Sequence, residues 1–295
     1  MSDIGLQFST TDLVIMNGAI ALMMLGVSLQ LKVNDFSRII REPKAPVAGM
    51  IAQFLLLPMV TCFATWLLQV PAEFALGMIL VASCPGGTFS NVMTWMARAN
   101  VAVSVTMTAV SSLVAVVMTP LNFALYGWLN PQTRPLLQQI SIDPAGLLLL
   151  VALVLALPIL LGMAAGRRFP GLAERSEQPM RWLSLGIFLA FIVLAFQKNY
   201  GLFMEHADRI LLLVVAHNAM ALIVGNLVGR VAHLPLADRR AVTMEVGIQN
   251  SGLGLMILFT FFPQAGGMIL ITALWGIWHL VSGLTLAHFW SRSAA

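Results

Sequence analysis

The chain has 295 residues, of which 59% are hydrophobic and only 9% are charged, and its mean hydropathy is +0.89. Soluble domains carry about 25% charged residues, so this composition excludes a soluble protein and indicates one polytopic membrane domain over residues 1–295. The net charge is +4, but the basic residues lie in short segments between apolar runs and form no stripe, which argues against nucleic-acid binding.

Nine apolar segments follow one another along the chain, each near or above the roughly 20 residues that cross a bilayer as a helix. Their approximate bounds are 12–31, 44–66, 72–97, 101–127, 145–166, 180–197, 209–231, 238–262 and 266–290. No basic stretch precedes the first run, so we expect a true span rather than a signal peptide. Pro58 and Pro158 are expected to kink spans 2 and 5, and the polar stretch 34–42 to lie at the interface. The sequence predicts an all-α protein with nine transmembrane helices.

The basic residues predict the orientation of these spans. With the N-terminus outside, 13 of the 16 Lys and Arg residues fall in inside segments, and Arg134, Lys198 and Arg209 fall outside. Because inside loops of membrane proteins carry the excess of positive charge, we expect the N-terminus outside and the C-terminus in the cytoplasm.

Spans 3 and 8 each contain a polar interruption. Residues 84–91 read Cys-Pro-Gly-Gly-Thr-Phe-Ser-Asn, and residues 245–250 read Glu-Val-Gly-Ile-Gln-Asn. Gly and Pro open a helix, and the backbone groups that this frees need partners in hydrocarbon. Two discontinuous helices that cross near the midplane are typical of the binding site of a secondary transporter.

The two interrupted spans also begin alike, with Val-Pro-Ala-Glu at 70–73 and Leu-Pro-Leu-Ala-Asp at 234–238. They enter the membrane from opposite sides in the predicted topology, so spans 1–4 and 6–9 are predicted to be inverted repeats. Span 5 then has no partner. The first repeat, 12–127, lacks a first helix that the second, 145–290, retains, and residues 128–144 link the two.

Glu245 is the residue of the second interruption whose placement in the membrane costs the most free energy. A charged side chain in mid-bilayer costs about 2.5–3.5 kcal/mol on insertion scales. Gln249 follows four residues later and shares a helix face with it. A carboxylate, an amide oxygen and freed carbonyls suit a hard cation, for which sodium is the monovalent candidate. The alternative is a protonated Glu245 in a buried hydrogen-bond network.

Other polar side chains accompany the first interruption. Ser90 and Asn91 lie within it, and Ser104 and Thr108 share one face of the next span. Single hydroxyls in membrane helices usually bond back to the helix carbonyls, but the set beside the Gly-Gly break favours ligation. Gln53, alone in an apolar run, is equally a ligand or a polar contact between helices. Two intramembrane histidines, His217 and His279, are more often packing residues than proton carriers.

The motifs at 84–94, 100–108 and 245–253 resemble the bile acid:sodium symporter family, and the likeness runs from about residue 20 to the end. This resemblance implies two inverted five-helix repeats, a panel domain and a core domain, with the crossed helices in the core and the first helix absent here. It implies two sodium ions. The first sodium site would use Ser90, Asn91, Ser104, Thr108 and Glu245. The second would use Gln53, Glu245, Gln249 and the backbone carbonyls of Val246 and Ile248.

The resemblance also implies a substrate cavity between panel and core. Thr88, Asn250 and His279 would face it, although Leu280 stands where bacterial members of the family often have Asn. We therefore expect a monomeric sodium symporter of a bacterial inner membrane, importing a small organic anion such as a bile acid or carboxylate, and not an enzyme.

Three alternatives stay open at this point. The first is an anion transporter coupled to protons through Glu245 and His217. The second is an intramembrane hydrolase with Ser90 as nucleophile and His217 or His279 as base, although no Gly-x-Ser-x-Gly elbow is present. The third is an ion channel.

Overall fold

A computed structural model describes residues 22, 25, 41–139, 157–158 and 160–292, and these residues form helices joined by short turns. Predicted span 1, most of predicted span 5 and nearly all of the stretch 34–42 lie outside the described residues. In chain order the helices are α1 (Lys44–Leu67), α2 (Ala72–Ser83), α3 (Phe89–Met96), α4 (Val101–Leu129), α5 (Arg134–Gln139), α6 (Pro170–Lys198), α7 (Tyr200–Val231), α8 (Leu236–Gly247), α9 (Ser251–Phe261) and α10 (Gly266–Arg292). Residues 160–168 are also helical.

Four of these helices, α1, α4, α7 and α10, are long and apolar enough to cross a membrane by length and composition. Large apolar side chains stay exposed on them, including Phe63 at 57% and Leu212 at 68%, as expected for surfaces that face lipid. The chain is therefore a polytopic membrane protein whose described residues are nearly all helical. The count of nine spans stays a prediction.

A π-helical turn at Ala52–Leu56 accommodates Pro58 within α1. Proline has no backbone N–H, so the carbonyl of Phe54, four residues earlier, loses its helical donor. Asn122 of α4 replaces that donor, with 2.7 Å between its Nδ2 and the Phe54 oxygen. The helix therefore contains a wide π-helical turn before Pro58, and Gln53 lies inside this turn.

Both predicted interruptions are present. The first lies between the end of α2 at Ser83 and the start of α3 at Phe89, and the second between α8, ending at Gly247, and α9, starting at Ser251. The half-helices α2, α8 and α9 are buried over most of their length.

The two interruptions pair with each other. Gly86 and Gln249 form an antiparallel β-bridge. The Gly87 N–H donates to the Ile248 carbonyl at 2.7 Å, and the Asn250 N–H donates to the Pro85 carbonyl at 2.8 Å. Backbone groups that the helix breaks leave free therefore satisfy one another, as a site buried from water requires.

The first turns of α2 and α8 each place an acidic side chain on the other half of the chain. Glu73 Oε2 accepts from the Gly267 N–H at the start of α10, at 2.7 Å. Asp238 Oδ1 accepts from Asn100 Nδ2, the N-cap residue of α4, also at 2.7 Å. Each acid thus sits at a helix N-terminus, where negative charge is favourable. These contacts are reciprocal: α2, in the first half of the chain, contacts α10, and α8, in the second half, contacts α4.

Candidate functional site

A cluster of hydroxyl groups surrounds Glu245 near the end of α8. The Glu245 side chain is fully buried. Thr108 Oγ1 donates to its Oε1 at 2.7 Å, Ser104 Oγ donates to its Oε2 at 3.2 Å, and Ser90 Oγ donates to the same Oε2. Asn91 joins through Thr108, whose hydroxyl lies 3.2 Å from Asn91 Oδ1. The structure thus brings together all five residues predicted for the first sodium site.

The partners of this carboxylate are all neutral groups in the part of the chain that the structure describes. Among the described residues, no Lys or Arg forms an ion pair with Glu245, and its partners are neutral hydroxyls. A buried charge without a counter-charge is strongly destabilising. A bound monovalent cation would supply the missing charge.

The hydroxyl of Thr108 has another acceptor besides Glu245 and Asn91. Its Oγ1 lies 3.1 Å from the carbonyl oxygen of Ser104, one helical turn earlier, as well as 2.7 Å from Glu245. A hydroxyl that points its proton at the Ser104 carbonyl keeps its oxygen lone pairs free for a cation. The group can therefore serve the carboxylate or a cation without losing a hydrogen bond.

Gly86 makes room for the carboxylate. A Cβ atom at position 86 would overlap the Glu245 side chain, with its Oε1 as the nearest atom. At Gly87 a Cβ atom would lie 3.0 Å from the backbone oxygen of Gln249. The Gly-Gly pair is therefore required by the close approach of the two breaks.

A second polar cluster joins α1 to both breaks. Gln53 Nε2 donates to the Cys84 carbonyl at 2.7 Å and to Gln249 Oε1 at 2.6 Å, and Gln249 Nε2 donates to the Val246 carbonyl at 2.9 Å. Gln53 Oε1 is buried and has no hydrogen-bond partner among the described residues. An orphaned buried oxygen of this kind is a candidate cation ligand.

The residues predicted for the second sodium site are only partly joined by direct contacts. Gln53, Gln249 and Val246 are linked as above, and the Ile248 carbonyl accepts from the Gly87 N–H of the bridge. The hydrogen bonds of the Glu245 side chain go instead to the first cluster. The helix face predicted for Glu245 and Gln249 is not present, because α8 ends at Gly247 and Gln249 lies in the break, paired with Gly86.

The three predicted substrate residues lie at or beside the breaks. Thr88 is the N-cap of α3, is partly exposed and makes no side-chain capping bond. Asn250 is the N-cap of α9, and its Oδ1 accepts from the Leu253 N–H at 3.0 Å. His279 on α10 is 3% exposed, and its Nδ1 lies 3.3 Å from the Ser251 hydroxyl at the start of α9. His279 therefore meets the second break from the interior of the bundle.

His217 lies apart from the carboxylate. Its Nε2 is 3.0 Å from Thr61 Oγ1, and its ring packs edge-on against Trp275. The Thr61 hydroxyl also donates to the Leu57 carbonyl, one helical turn earlier, at 2.8 Å. Within the described residues, no contact links His217 to Glu245, and the structure places the histidine as a packing residue.

Several polar residues that support the site escape sequence reasoning. Thr94 Oγ1 donates to Ser104 Oγ at 3.3 Å, and Thr119 Oγ1 donates to the Ser83 carbonyl at the end of α2 at 2.8 Å. Asn218 Nδ2 donates to the Gly247 carbonyl at 2.8 Å. Glu73 and Asp238 also make equivalent contacts that the sequence did not predict. The one local signal for them is that spans 3 and 8 both begin with a proline followed by an acidic residue.

The donor set fits sodium. It consists of hydroxyl, amide, carboxylate and carbonyl oxygens, which hard cations prefer. The described residues contain no group of three or more His, Cys, Asp or Glu side chains that could hold a metal ion. The oxygen clusters, the orphaned Gln53 oxygen and the unbalanced carboxylate therefore fit sodium rather than a transition metal.

A buried acid beside two paired helix breaks, within an all-α membrane protein, is the architecture of a secondary transporter. The model of the Sodium Bile acid symporter family matches residues 18–206, and the chain belongs to that family. This places it among transporters and not among enzymes, which removes the hydrolase alternative.

The relatives carry similar names. The chain is 30% identical over 275 residues to the uncharacterized sodium-dependent transporter YocS of Bacillus subtilis, covering 92% of this chain and 82% of that protein. It is 32% identical over 275 residues to the probable sodium/metabolite cotransporter BASS1, chloroplastic, of Arabidopsis thaliana, covering 93% of this chain and 66% of the relative. It is 26% identical over 267 residues to human sodium/bile acid cotransporter 4, covering 90% of this chain and 60% of the human protein. The chain thus spans less than two thirds of the plant and human proteins.

Proposed function

We propose that this chain is a sodium-coupled symporter that imports a small organic anion by alternating access. The observation that carries the proposal is the buried Glu245 carboxylate, which has three hydroxyl partners and, within the described part of the chain, no ion pair with a positive side chain. The names of the relatives, which include sodium-dependent transporters and sodium/bile acid or sodium/metabolite cotransporters, support sodium as the coupling ion.

Two sodium ions are proposed. The first would be held by Ser90, Asn91, Ser104, Thr108 and Glu245. The second would be held by Gln53, Glu245, Gln249 and the carbonyls of Val246 and Ile248. The bridge between Gly86 and Gln249 lies beside both sets, so an ion in either set would stiffen the same junction. Occupying one set therefore helps to order the other.

The anion is proposed to bind where the half-helices restart. Helices α3 and α9 begin directly after the breaks, and their N-terminal amides favour negative charge. Two sodium ions against one carboxylate leave a net positive site. Thr88 and Asn250 are proposed to face the anion, with His279 supporting the second break from behind.

Charge counting predicts an electrogenic cycle. Two sodium ions with one monovalent anion move one net charge, worth about 2.3 kcal/mol per 100 mV. That is about 50-fold accumulation from the membrane potential alone. Without sodium, the uncompensated Glu245 charge opposes closure of the site around the anion, which couples the two fluxes.

The finer architecture belongs to the same proposal. We propose nine spans in a bacterial inner membrane, with the N-terminus outside, the C-terminus in the cytoplasm, and the two interrupted helices crossing at the paired breaks. Inverted repeats at 12–127 and 145–290, joined by 128–144, would supply the core and the panel. The reciprocal contacts of Glu73 and Asp238 support two repeated units.

The decisive experiment measures uptake of organic acids into vesicles that contain the purified chain. Candidate anions are first selected by thermal shift, since a real ligand should stabilise the protein, and more so with sodium present. Uptake is expected in a sodium gradient and is expected to vanish when choline replaces sodium at fixed pH. Uptake that continues unchanged in choline and follows a proton gradient would instead favour proton coupling, and saturation at low substrate would exclude a channel.

A further inference from the structure

The C-terminal ends of the half-helices α2 and α8 share a type of partner. Gln53 of α1 donates through Nε2 to the Cys84 carbonyl at 2.7 Å, directly after α2. Asn218 of α7 donates through Nδ2 to the carbonyl of Gly247, the last residue of α8, at 2.8 Å. In both cases a buried carboxamide comes from the long helix that immediately precedes the interrupted pair. The carbonyls at a helix end lack an intrahelical donor and need one in hydrocarbon.

The two amides differ by one methylene group, and the difference decides what else each can reach. Gln53 extends to the opposite break, where it also donates to Gln249 Oε1 at 2.6 Å. Asn218 stays at its own break, and its Oδ1 accepts from the hydroxyl of Ser282 on α10. Asn218 is fully buried, with both its oxygen and its nitrogen engaged. It is therefore placed to hold the backbone rather than to ligate an ion.

The backbone that Asn218 holds lies inside the second proposed sodium site. Gly247 stands between Val246 and Ile248, whose carbonyls are two of the proposed ligands. A Cβ atom at Gly247 would collide with the Leu222 side chain of α7, so the same helix fixes this end of α8 by close packing as well. A carbonyl that lost its Asn218 donor would turn toward another partner and rotate the adjoining peptide units with it.

We propose that Asn218 is a positioning residue of the second sodium site and the counterpart, in the second half of the chain, of Gln53 in the first. It sets the direction of the Val246 and Ile248 carbonyls by fixing the Gly247 carbonyl between them. This inference rests on the proposed function, because it concerns the affinity of that site for sodium.

The test is a sodium titration of the purified full chain, read as the thermal unfolding midpoint by the fluorescence of its seven tryptophans. Sodium chloride replaces choline chloride at constant ionic strength, and the sodium concentration that gives half of the full shift is compared between variants. The test variant is Asn218→Ala. The matched control is Asn130→Ala, since Asn130 is also a buried asparagine, donating to Thr65 Oγ1 at 3.0 Å. It lies 22 residues beyond Thr108, or about 33 Å along α4.

Asn218→Ala is expected to raise the half-effective sodium concentration by about tenfold, because the ligand carbonyls lose their orientation. Asn130→Ala is expected to lower the midpoint at every sodium concentration and to leave the half-effective concentration unchanged. An unchanged half-effective concentration in Asn218→Ala overturns the inference. If Asn218→Ala cannot be purified in a folded form, Ser282→Ala is tested instead, because it removes the hydroxyl that holds the Asn218 side chain. Ser282→Ala should raise the half-effective sodium concentration about threefold. An unchanged half-effective concentration in this variant would then overturn the inference. If sodium does not shift the unfolding midpoint of the wild-type protein, the proposed function itself is overturned. That result differs from a normal wild-type shift whose half-effective sodium concentration is the same in Asn218→Ala.

Discussion

Gly86 and Glu245 lie so close together that a single methyl group on Gly86 would occupy the space of the Glu245 carboxylate. The two residues come from different halves of the chain and meet only because the two helix breaks pair. Gly86 is therefore as much a part of the candidate sodium site as the oxygen ligands, although it contributes no ligand atom.

Gly86→Ala should displace the Glu245 carboxylate and abolish the stabilisation by sodium in a thermal unfolding assay. Relief of the overlap requires movement of the buried carboxylate away from Ser90 and Thr108, since the β-bridge holds the backbone of the break. The control is Gly186→Ala, because a Cβ atom there meets nothing within 4 Å. A sodium response of wild-type size in Gly86→Ala would contradict the geometry described for this site.

Glu245→Gln should lose its response to sodium and yet fold. The amide has the same shape as the carboxylate. Because the substitution removes an uncompensated buried charge, the unfolding midpoint in choline should be equal to or above that of the wild type. Sodium-driven uptake should fall to background. The measurement is a pair of melting curves, with and without sodium, beside the uptake assay. A lower midpoint in choline would mean that the charge is balanced by something other than a cation.

Thr108→Val tests one hydroxyl without changing side-chain volume. The valine cannot donate to Glu245 or offer an oxygen to sodium, so we expect a rise of about tenfold in the half-effective sodium concentration, or about 1.4 kcal/mol. Thr106→Val is the matched control, since Thr106 is also buried on α4 but donates to the Ala102 carbonyl at 2.8 Å. Equal effects of the two substitutions would show that Thr108 acts through helix stability alone.

Much of this site could be predicted because its chemistry is local in the sequence. The Gly-Gly pair, the mid-span Glu245 and the hydroxyls one turn apart each stand out against an apolar background. The helix breaks were predicted within a few residues for the same reason, since Pro and Gly mark them directly.

The contacts that could not be predicted all join distant parts of the chain. Nothing near Pro58 indicates that Asn122 supplies the donor for the Phe54 carbonyl, 68 residues away. The contact between Glu73 and the Gly267 N–H spans 194 residues, and it depends on how the helices pack. Asn218 looks like an ordinary polar residue of a membrane helix until the end of α8 is placed against it.

Glu73→Gln should destabilise the protein by about 1 kcal/mol. A neutral amide oxygen accepts a weaker hydrogen bond from the Gly267 N–H, and it carries no negative charge to stabilise the positive N-terminal end of α10. Asp238→Asn should have a similar cost at the start of α4. Both variants should keep the wild-type half-effective sodium concentration, since neither residue touches the oxygen clusters. The exposed Glu174 provides the control, as Glu174→Gln should leave the unfolding midpoint unchanged. A shift in sodium affinity in Glu73→Gln would show that the helix ends move with the ion site.

The partners of the Glu245 carboxylate lie 155, 141 and 137 residues before it in the chain, at Ser90, Ser104 and Thr108. A ribosome therefore delivers all three hydroxyls to the membrane long before it synthesises the acid that they bind. During that interval the first break has no second break to pair with, and its free backbone groups need other hydrogen-bond partners. The pairing of the two breaks is thus a late event in the synthesis of this protein, and a nascent chain released before residue 250 would leave the first break without its partner in the bilayer.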